Sequence, residues 1–306
     1  MTVKEALTYW LESYAKEKRT DYESLKSRIN KHIISQIGAL PLEKCELRHW
    51  LACFDQMAKR SPVSAGFLLQ VCKQALKYCR KRRYAISNVL DDMVVGDVGK
   101  KAEISERVLT NKELGELLRA LDEKIYPPYY SALIRLLIVF GCRATELRRS
   151  EVQEWDFKEM LWTVPKEHSK TKVAIFRPIP EAILPFVTKL VEQNRHTGLL
   201  LGELKGQSSV SEYGRTAHRR INQAPWTLHD IRHTFTTMLN DLGVDPHVVE
   251  QLTAHQLPGV QRVYNHSRYL DAKRDALNLW VERLELLQNN DEKIVVMTPR
   301  IYSQNS

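Results

Sequence analysis

Helical periodicity runs through this chain and breaks once. Between Trp155 and Pro180 the spacing of apolar residues shifts from the three-to-four of a helix to the two of a strand. Met160-Leu161-Trp162-Thr163-Val164 reads as one strand, and Val173, Ile175, Arg177 and Ile179 alternate through a second. The intervening P-K-E-H-S-K-T-K is the turn. The expected class is mainly α with a small antiparallel β-sheet embedded in the second of two helical regions.

The first region covers residues 1–90. Val3, Ala6, Leu7, Trp10, Leu11 and Tyr14 recur at helical spacing, followed by Leu25, Ile29, His32 and Ile33, then Leu47, Trp50, Leu51 and Phe54. Ser61 and Pro62 open a further helix as cap and first turn, and Phe67, Leu68, Val71, Ala75 and Tyr78 form its apolar face. Residues 91–106 have two glycines, mixed charge and no period, which suggests a linker. Thr110 and Glu113 then form a capping-box pattern. Tyr129–Phe140 is apolar enough for a core helix, and residues 181–194 return to helix. The glycine- and serine-rich stretch 198–215 is expected to be a loop. The domain plan is residues 1–95, a linker 96–106, a second domain 107–288 and a tail 289–306.

Charge narrows the partners. The chain carries a net +9, and residues 1–100 hold most of it, with 18 lysines and arginines against 11 acidic residues. A polyanion such as nucleic acid is the expected partner. Lys77, Arg80, Lys81, Arg82 and Arg83 cluster at a helix end, where they either contact phosphate or form a solvated face favoured by the helix dipole. No apolar run approaches a membrane span, and the first ten residues lack a basic start followed by an apolar stretch, so a secretory signal is not expected. Five cysteines without a C-x-x-C suggest buried thiols in a reducing cytoplasm rather than a zinc site.

Four segments carry groups suited to chemistry. Gly141 ends the apolar helix and allows a turn to present Arg143, with Glu146 close enough to orient it. Thr227 caps a helix whose Leu228, Ile231, Phe235 and Leu239 face the core, and His229 and Arg232 project together beside that face. Gly243 ends that helix, and Asp245-Pro246 starts another that closes at His255. Tyr264 follows nine residues later. Taken singly, these are a surface ion pair, a capped amphipathic helix and a helix-turn-helix.

In order and spacing the segments resemble the tyrosine recombinase (phage integrase) family, whose pattern is G-x-R-x-x-E-L, a hairpin lysine, H-x-x-R-H-T, and a second histidine with a tyrosine nine residues on. This chain has G-C-R-A-T-E-L, S-K-T-K, H-D-I-R-H-T and H-(x8)-Y. The stretch from Tyr264 to Trp280 is similar to the tails of integrases from temperate phages and genomic islands. The resemblance is specific over about 107–287 and general over 1–90. It implies an N-terminal helical core-binding (SAM-like) domain and a catalytic domain, closed around duplex DNA as a C-shaped clamp. It also implies Tyr264 as nucleophile, Arg143, Arg232 and His255 on the phosphate, His229 assisting the tyrosine, Lys170 as general acid and Glu146 in support. No cofactor or metal is implied. The implied partners are double-stranded core-site DNA, a homotetramer on it, and an accessory DNA-bending or excision factor.

Lys166, Lys170 and Lys172 compete for the hairpin role, and Lys170 takes it as the residue at the turn position. Tyr269 has the wrong spacing from His255 and precedes an amphipathic helix (Ala276, Trp280, Leu284, Leu287), so packing is its expected role. Alanine stands at position 254, where the family often has glycine. Val3–Tyr14 already reads as the first core-binding helix, so either core-type sites alone are recognised or the chain is shortened. A type IB topoisomerase and a non-catalytic helix-turn-helix regulator are the rival readings.

Overall fold

The structure is a computed structural model and describes residues 1–19, 21–102, 106–254 and 269–289. The chain divides into two compact units, Met1–Ile104 and Ser105–Ser306.

In the first unit, Thr2 and Glu5 form a capping box that opens α1 (Val3–Trp10), which continues through a wide turn at Leu11–Ala15. Helix α2 (Tyr22–Ile29) continues similarly through Asn30–Ile34. Next come α3 (Leu47–Ala58) and the long α4 (Pro62–Lys81), where Ser61 accepts from the Ser64 amide at 3.3 Å. Trp10, Trp50, Phe54, Leu68, Leu69 and Cys72 lie in its core, with α4 packed on α1 and α3. The expected linker begins later than its composition suggests. A short helix, α5 (Val95–Val98), buries Val95 and Val98, and the Lys100 amide donates to Pro62 O at 3.2 Å. A Cβ on Gly99 would lie 2.1 Å from Pro62 O, so only glycine allows this approach. The mixed composition of 95–100 therefore serves packing on α4.

The second unit opens with α6 (Asn111–Asp122), capped by the Thr110–Glu113 box. Helix α7 (Pro128–Phe140) runs through its core, as its apolar sequence demands. After the short α8 (Ala144–Arg148) comes an antiparallel sheet of β1 (Trp155–Asp156), β2 (Leu161–Val164) and β3 (Ile175–Pro178), in that order. Trp155 pairs with Trp162 and Trp162 with Arg177, and the two indoles stack at 4.7 Å against the edge of Phe140. Helix α9 (Leu184–Asn194) follows.

The stretch expected as a loop, 198–215, instead ends in a helix, α10 (Gln207–Thr216). Its serines and glycine are poor helix formers, and tertiary contact overrides them. Val210 is buried, and Tyr213 stacks on Tyr130 at 3.5 Å. Helices α11 (Leu228–Asp241), α12 (Pro246–Thr253) and α13 (Leu270–Gln288) complete the described unit. α11 packs on α7, and α13 packs on α6 and β3. All five cysteines are free and buried. Among the described residues no helix is long and apolar enough to cross a membrane.

Candidate active site

Gly141 ends α7 in the left-handed conformation, φ 55°, and a Cβ there would lie 2.1 Å from the Phe235 ring. Both facts demand glycine. The next residues turn outward and deliver Arg143 at the N-cap of α8, where its Nη1 donates to Glu146 Oε1 at 3.1 Å. Read alone, the pair suggested an ordinary surface contact. In the fold the Glu146 side chain is fully buried, while that of Arg143 keeps 20% exposure. Arg143 therefore has one end anchored in the protein and an edge open to a ligand.

The other oxygen of Glu146 binds a residue whose role the sequence did not suggest. Arg177 on β3 is 0% exposed, donates to Glu146 Oε2 at 2.8 Å and to Leu252 O at 2.9 Å, and lies over Trp162 at 5.0 Å. A signal was present in the sequence, because Arg177 sits in phase with the buried Ile175 and Ile179. Arg232, 3% exposed, donates Nη1 to Gly141 O at 2.9 Å and Nη2 to Thr253 O. Arg143 Nη2 reaches Ala254 O at 3.2 Å. Three successive carbonyls at the C-terminus of α12, those of Leu252, Thr253 and Ala254, thus accept from Arg177, Arg232 and Arg143. Carbonyls at a helix end lack intrahelical partners and carry partial negative charge, so guanidiniums are natural caps.

Electrostatically the cluster sets three guanidiniums against one carboxylate. Burial, then Arg143 and Arg177, lower the Arg232 pKa to about 10. A buried excess of positive charge is costly unless an anion joins it, and planar guanidinium forks suit phosphate oxygens. His229 lies on the first turn of α11, exposed and edge-on to His233 at 4.6 Å. Its pKa is lowered, by desolvation first and then by the positive charge of His233, Arg232 and Arg143. A further buried cation, Lys273 on α13, donates to Phe176 O at 3.1 Å, and burial and Arg177 lower its pKa to about 8. Its place in the stripe with Ala276, Leu277 and Trp280 was the signal for burial.

Lys170 is exposed in the connection between β2 and β3, as are Lys166 and Lys172. Arg143, Arg232, Glu146 and His229 come together, whereas His255 and Tyr264 lie outside the described residues. Tyr269 packs edge-on against His247 at 4.8 Å. In the first unit, Arg80 donates to Ser87 O at 2.9 Å and pairs with Asp91 at 2.7 Å, which makes it a structural tie. Lys77, Lys81, Arg82 and Arg83 are exposed, and Arg82 lies over the Tyr78 ring at 5.3 Å. The helix-turn-helix outline is present as α11, Gly243 and α12. Its first helix buries Leu228, Ile231, Phe235 and Leu239, and the end of its second is capped by the arginines. Among the described residues no cluster of histidine, cysteine, aspartate or glutamate is placed to hold a metal ion.

Known proteins resemble this chain in sequence and fold. The family model described as "Phage integrase family" matches residues 107–270. Prophage integrase IntZ of Escherichia coli K12 is 23% identical over 300 residues, covering 90% of this chain and 67% of that protein. The Tn1549 transposon integrase (residues 82–397), solved with circular-intermediate DNA, superposes with a TM-score of 0.64 at 16% identity, covering 90% of this chain and 98% of that one. The lambda integrase tetramer bound to a Holliday junction gives a TM-score of 0.65 at 18% identity, over 84% of this chain and 78% of that one. With a family model matching more than half its length, the chain belongs to the phage integrase family and is a tyrosine-type site-specific DNA recombinase.

Proposed function

We propose that the protein integrates or excises a mobile element by cleaving and rejoining duplex DNA at core-type sites through a 3′-phosphotyrosine on Tyr264. Arg143 and Arg232 hold the non-bridging oxygens of the scissile phosphate and stabilise charge in the pentacoordinate transition state, with His255 as a further donor. His229 takes the phenolic proton as the tyrosine oxygen bonds to phosphorus. Lys170 gives a proton to the departing 5′-oxygen. The ester link conserves the energy of the broken bond, so a second 5′-hydroxyl reverses the step without ATP. One observation carries the reading: Arg143 and Arg232 lie together on the end of α12, around a single buried carboxylate, with His229 beside them. An anion completes that charge balance. No cofactor takes part in these steps.

Residues 1–95, within the first unit, form the core-binding domain, which holds DNA through phosphate contacts from Lys77, Lys81, Arg82 and Arg83, so affinity falls steeply with salt. Residues 107–288, within the second unit, form the catalytic domain. The active species is a tetramer on two DNA sites, by analogy with the lambda integrase tetramer on its junction. A DNA-bending or excision factor sets direction, and the reaction takes place in the cytoplasm.

The test is covalent capture. Nicked duplexes carrying the element's attachment junction lose a short 5′-hydroxyl strand on cleavage, which traps the ester. In EDTA, wild type is expected to give an SDS-resistant protein–DNA band and Tyr264→Phe none. Tight binding by both proteins with no band from either would overturn the reading in favour of a non-catalytic DNA binder.

A further inference from the structure

The connection that carries Lys170 is pinned by a buried carboxylate. Glu154, in the short turn Val152–Glu154 ahead of β1, is 7% exposed. Its Oε2 accepts from Ser150 Oγ at 3.0 Å and from Trp162 Nε1 at 3.1 Å. Its Oε1 faces His168 Nδ1 at 2.6 Å. The carboxylate thus sits on the stacked, buried Trp155–Trp162 platform. The His168 side chain, 11% exposed, plugs into it, with Glu151 Oε1 at 3.9 Å from its other nitrogen.

The backbone closes around that plug. The amides of His168 and Ser169 both donate to Pro165 O, at 3.0 and 3.2 Å, and the Lys172 amide donates to Ser169 O at 3.2 Å. Ser169 is buried, and its Oγ accepts from the Thr171 amide at 3.3 Å and lies 2.8 Å from Thr171 Oγ1. Lys170 therefore has a hydrogen-bonded residue on each side, Ser169 and Thr171, while its own side chain is exposed. Lys166 precedes the plug and lies 3.9 Å from Glu167. Lys172 follows the Ser169–Thr171 pair, so of the three hairpin lysines Lys170 is the one that lies inside it.

We propose that His168 and Glu154 are positioning residues for the hairpin lysine, fixing where Lys170 Nζ meets the leaving 5′-oxygen. The inference rests on the reading of Lys170 as general acid. In this role they act through the connection, with no need of a contact to DNA. Without the plug, the connection keeps its sequence but loses its anchor on the platform, and a displacement of roughly 1 Å at a reacting group costs about 10²-fold in rate.

Leaving-group chemistry separates positioning from general structural damage. Replacing the scissile 5′-oxygen with sulfur gives a thiolate leaving group that departs without a proton, so a defect confined to the general acid disappears on that substrate. Full-length wild type, Lys170→Ala, His168→Ala and Glu154→Gln are compared on nicked duplexes with either the natural phosphodiester or a 5′-bridging phosphorothiolate. DNA affinity and unfolding midpoint are measured alongside. On the natural substrate His168→Ala is expected to cleave about 10- to 100-fold more slowly than wild type, a partial loss of the roughly 10²–10⁴-fold that general-acid catalysis supplies. On the sulfur substrate it should come within about 3-fold of wild type, as Lys170→Ala should, because no proton is then needed. Glu154→Gln should behave similarly with a smaller loss. If Lys170→Ala recovers on sulfur while His168→Ala and Glu154→Gln stay slow, the positioning role is overturned and the acid reading stands. If Lys170→Ala itself stays slow, the acid reading falls and the inference falls with it.

Discussion

Replacing Arg177 by methionine tests whether the buried charge cluster is one unit. The change removes a fully buried guanidinium that binds Glu146 Oε2 and Leu252 O and covers the Trp162 ring. Removing one partner of a buried pair costs about 3–5 kcal/mol, because the other charge stays buried. Glu146 keeps its bond to Arg143, and Arg232 loses a repulsive neighbour, so the lower end applies, about 3 kcal/mol. Pairing the change with Glu146→Leu removes the orphaned carboxylate. The double variant should therefore be more stable than the sum of the singles by ~2 kcal/mol, a coupling expected of residues in one network. Urea titration read by peptide-resolved hydrogen exchange follows the second unit separately. In the same proteins covalent capture should fall further than DNA affinity, since Glu146 and the end of α12 orient Arg143 and Arg232. A single-variant cost under ~1 kcal/mol, or additive singles, would refute the reasoning.

Three other outcomes follow from the geometry. Gly141→Ala places a Cβ against Phe235 in a left-handed residue and should cost about 2–5 kcal/mol, of which Phe235→Leu recovers the steric part; equilibrium unfolding of the pair checks this. His229 has its pKa lowered from 6.5 in the fold, so the unfolded chain binds the proton first as pH falls. Stability should decline below about pH 6.5 and level off once the folded histidine charges, and His229→Gln should flatten that slope in urea midpoints taken across the range. Reversing Arg82 and Arg83 to glutamate should weaken DNA binding without unfolding the first unit, and reduce the salt slope by about 1 per lost phosphate contact. Arg80→Ala should instead lower the unfolding midpoint of that unit, since Arg80 holds Ser87 and Asp91.

What was legible in the sequence is what depends on neighbouring residues. The caps at Ser61, Thr110 and Thr227 are local hydrogen-bond patterns, and each appears as read. The strand pair follows from alternation, and Arg177 was visible as a charge in the buried phase of that alternation. Helix α10 was missed because its residues disfavour a helix locally, and the stack of Tyr213 on Tyr130 joins distant segments. Packing of 95–100 on α4 is hidden for the same reason, since only the fold reveals that Gly99 must approach Pro62. In the candidate site the residues of the motifs were legible, but their supports were not. No spacing rule connects Arg177 to Leu252 or His168 to Glu154, because neither pair lies on a shared turn or strand.

The proposed reaction turns on a covalent bond from one particular tyrosine to a DNA 3′-phosphate. Its most direct measurement is to trap the adduct on a nicked duplex, digest protein and DNA, and sequence the nucleotidyl peptide by tandem mass spectrometry. A 3′-phosphoryl nucleotide is expected on Tyr264, with Tyr269 unmodified. Modification of Tyr269, or attachment through a 5′-phosphate, would contradict it.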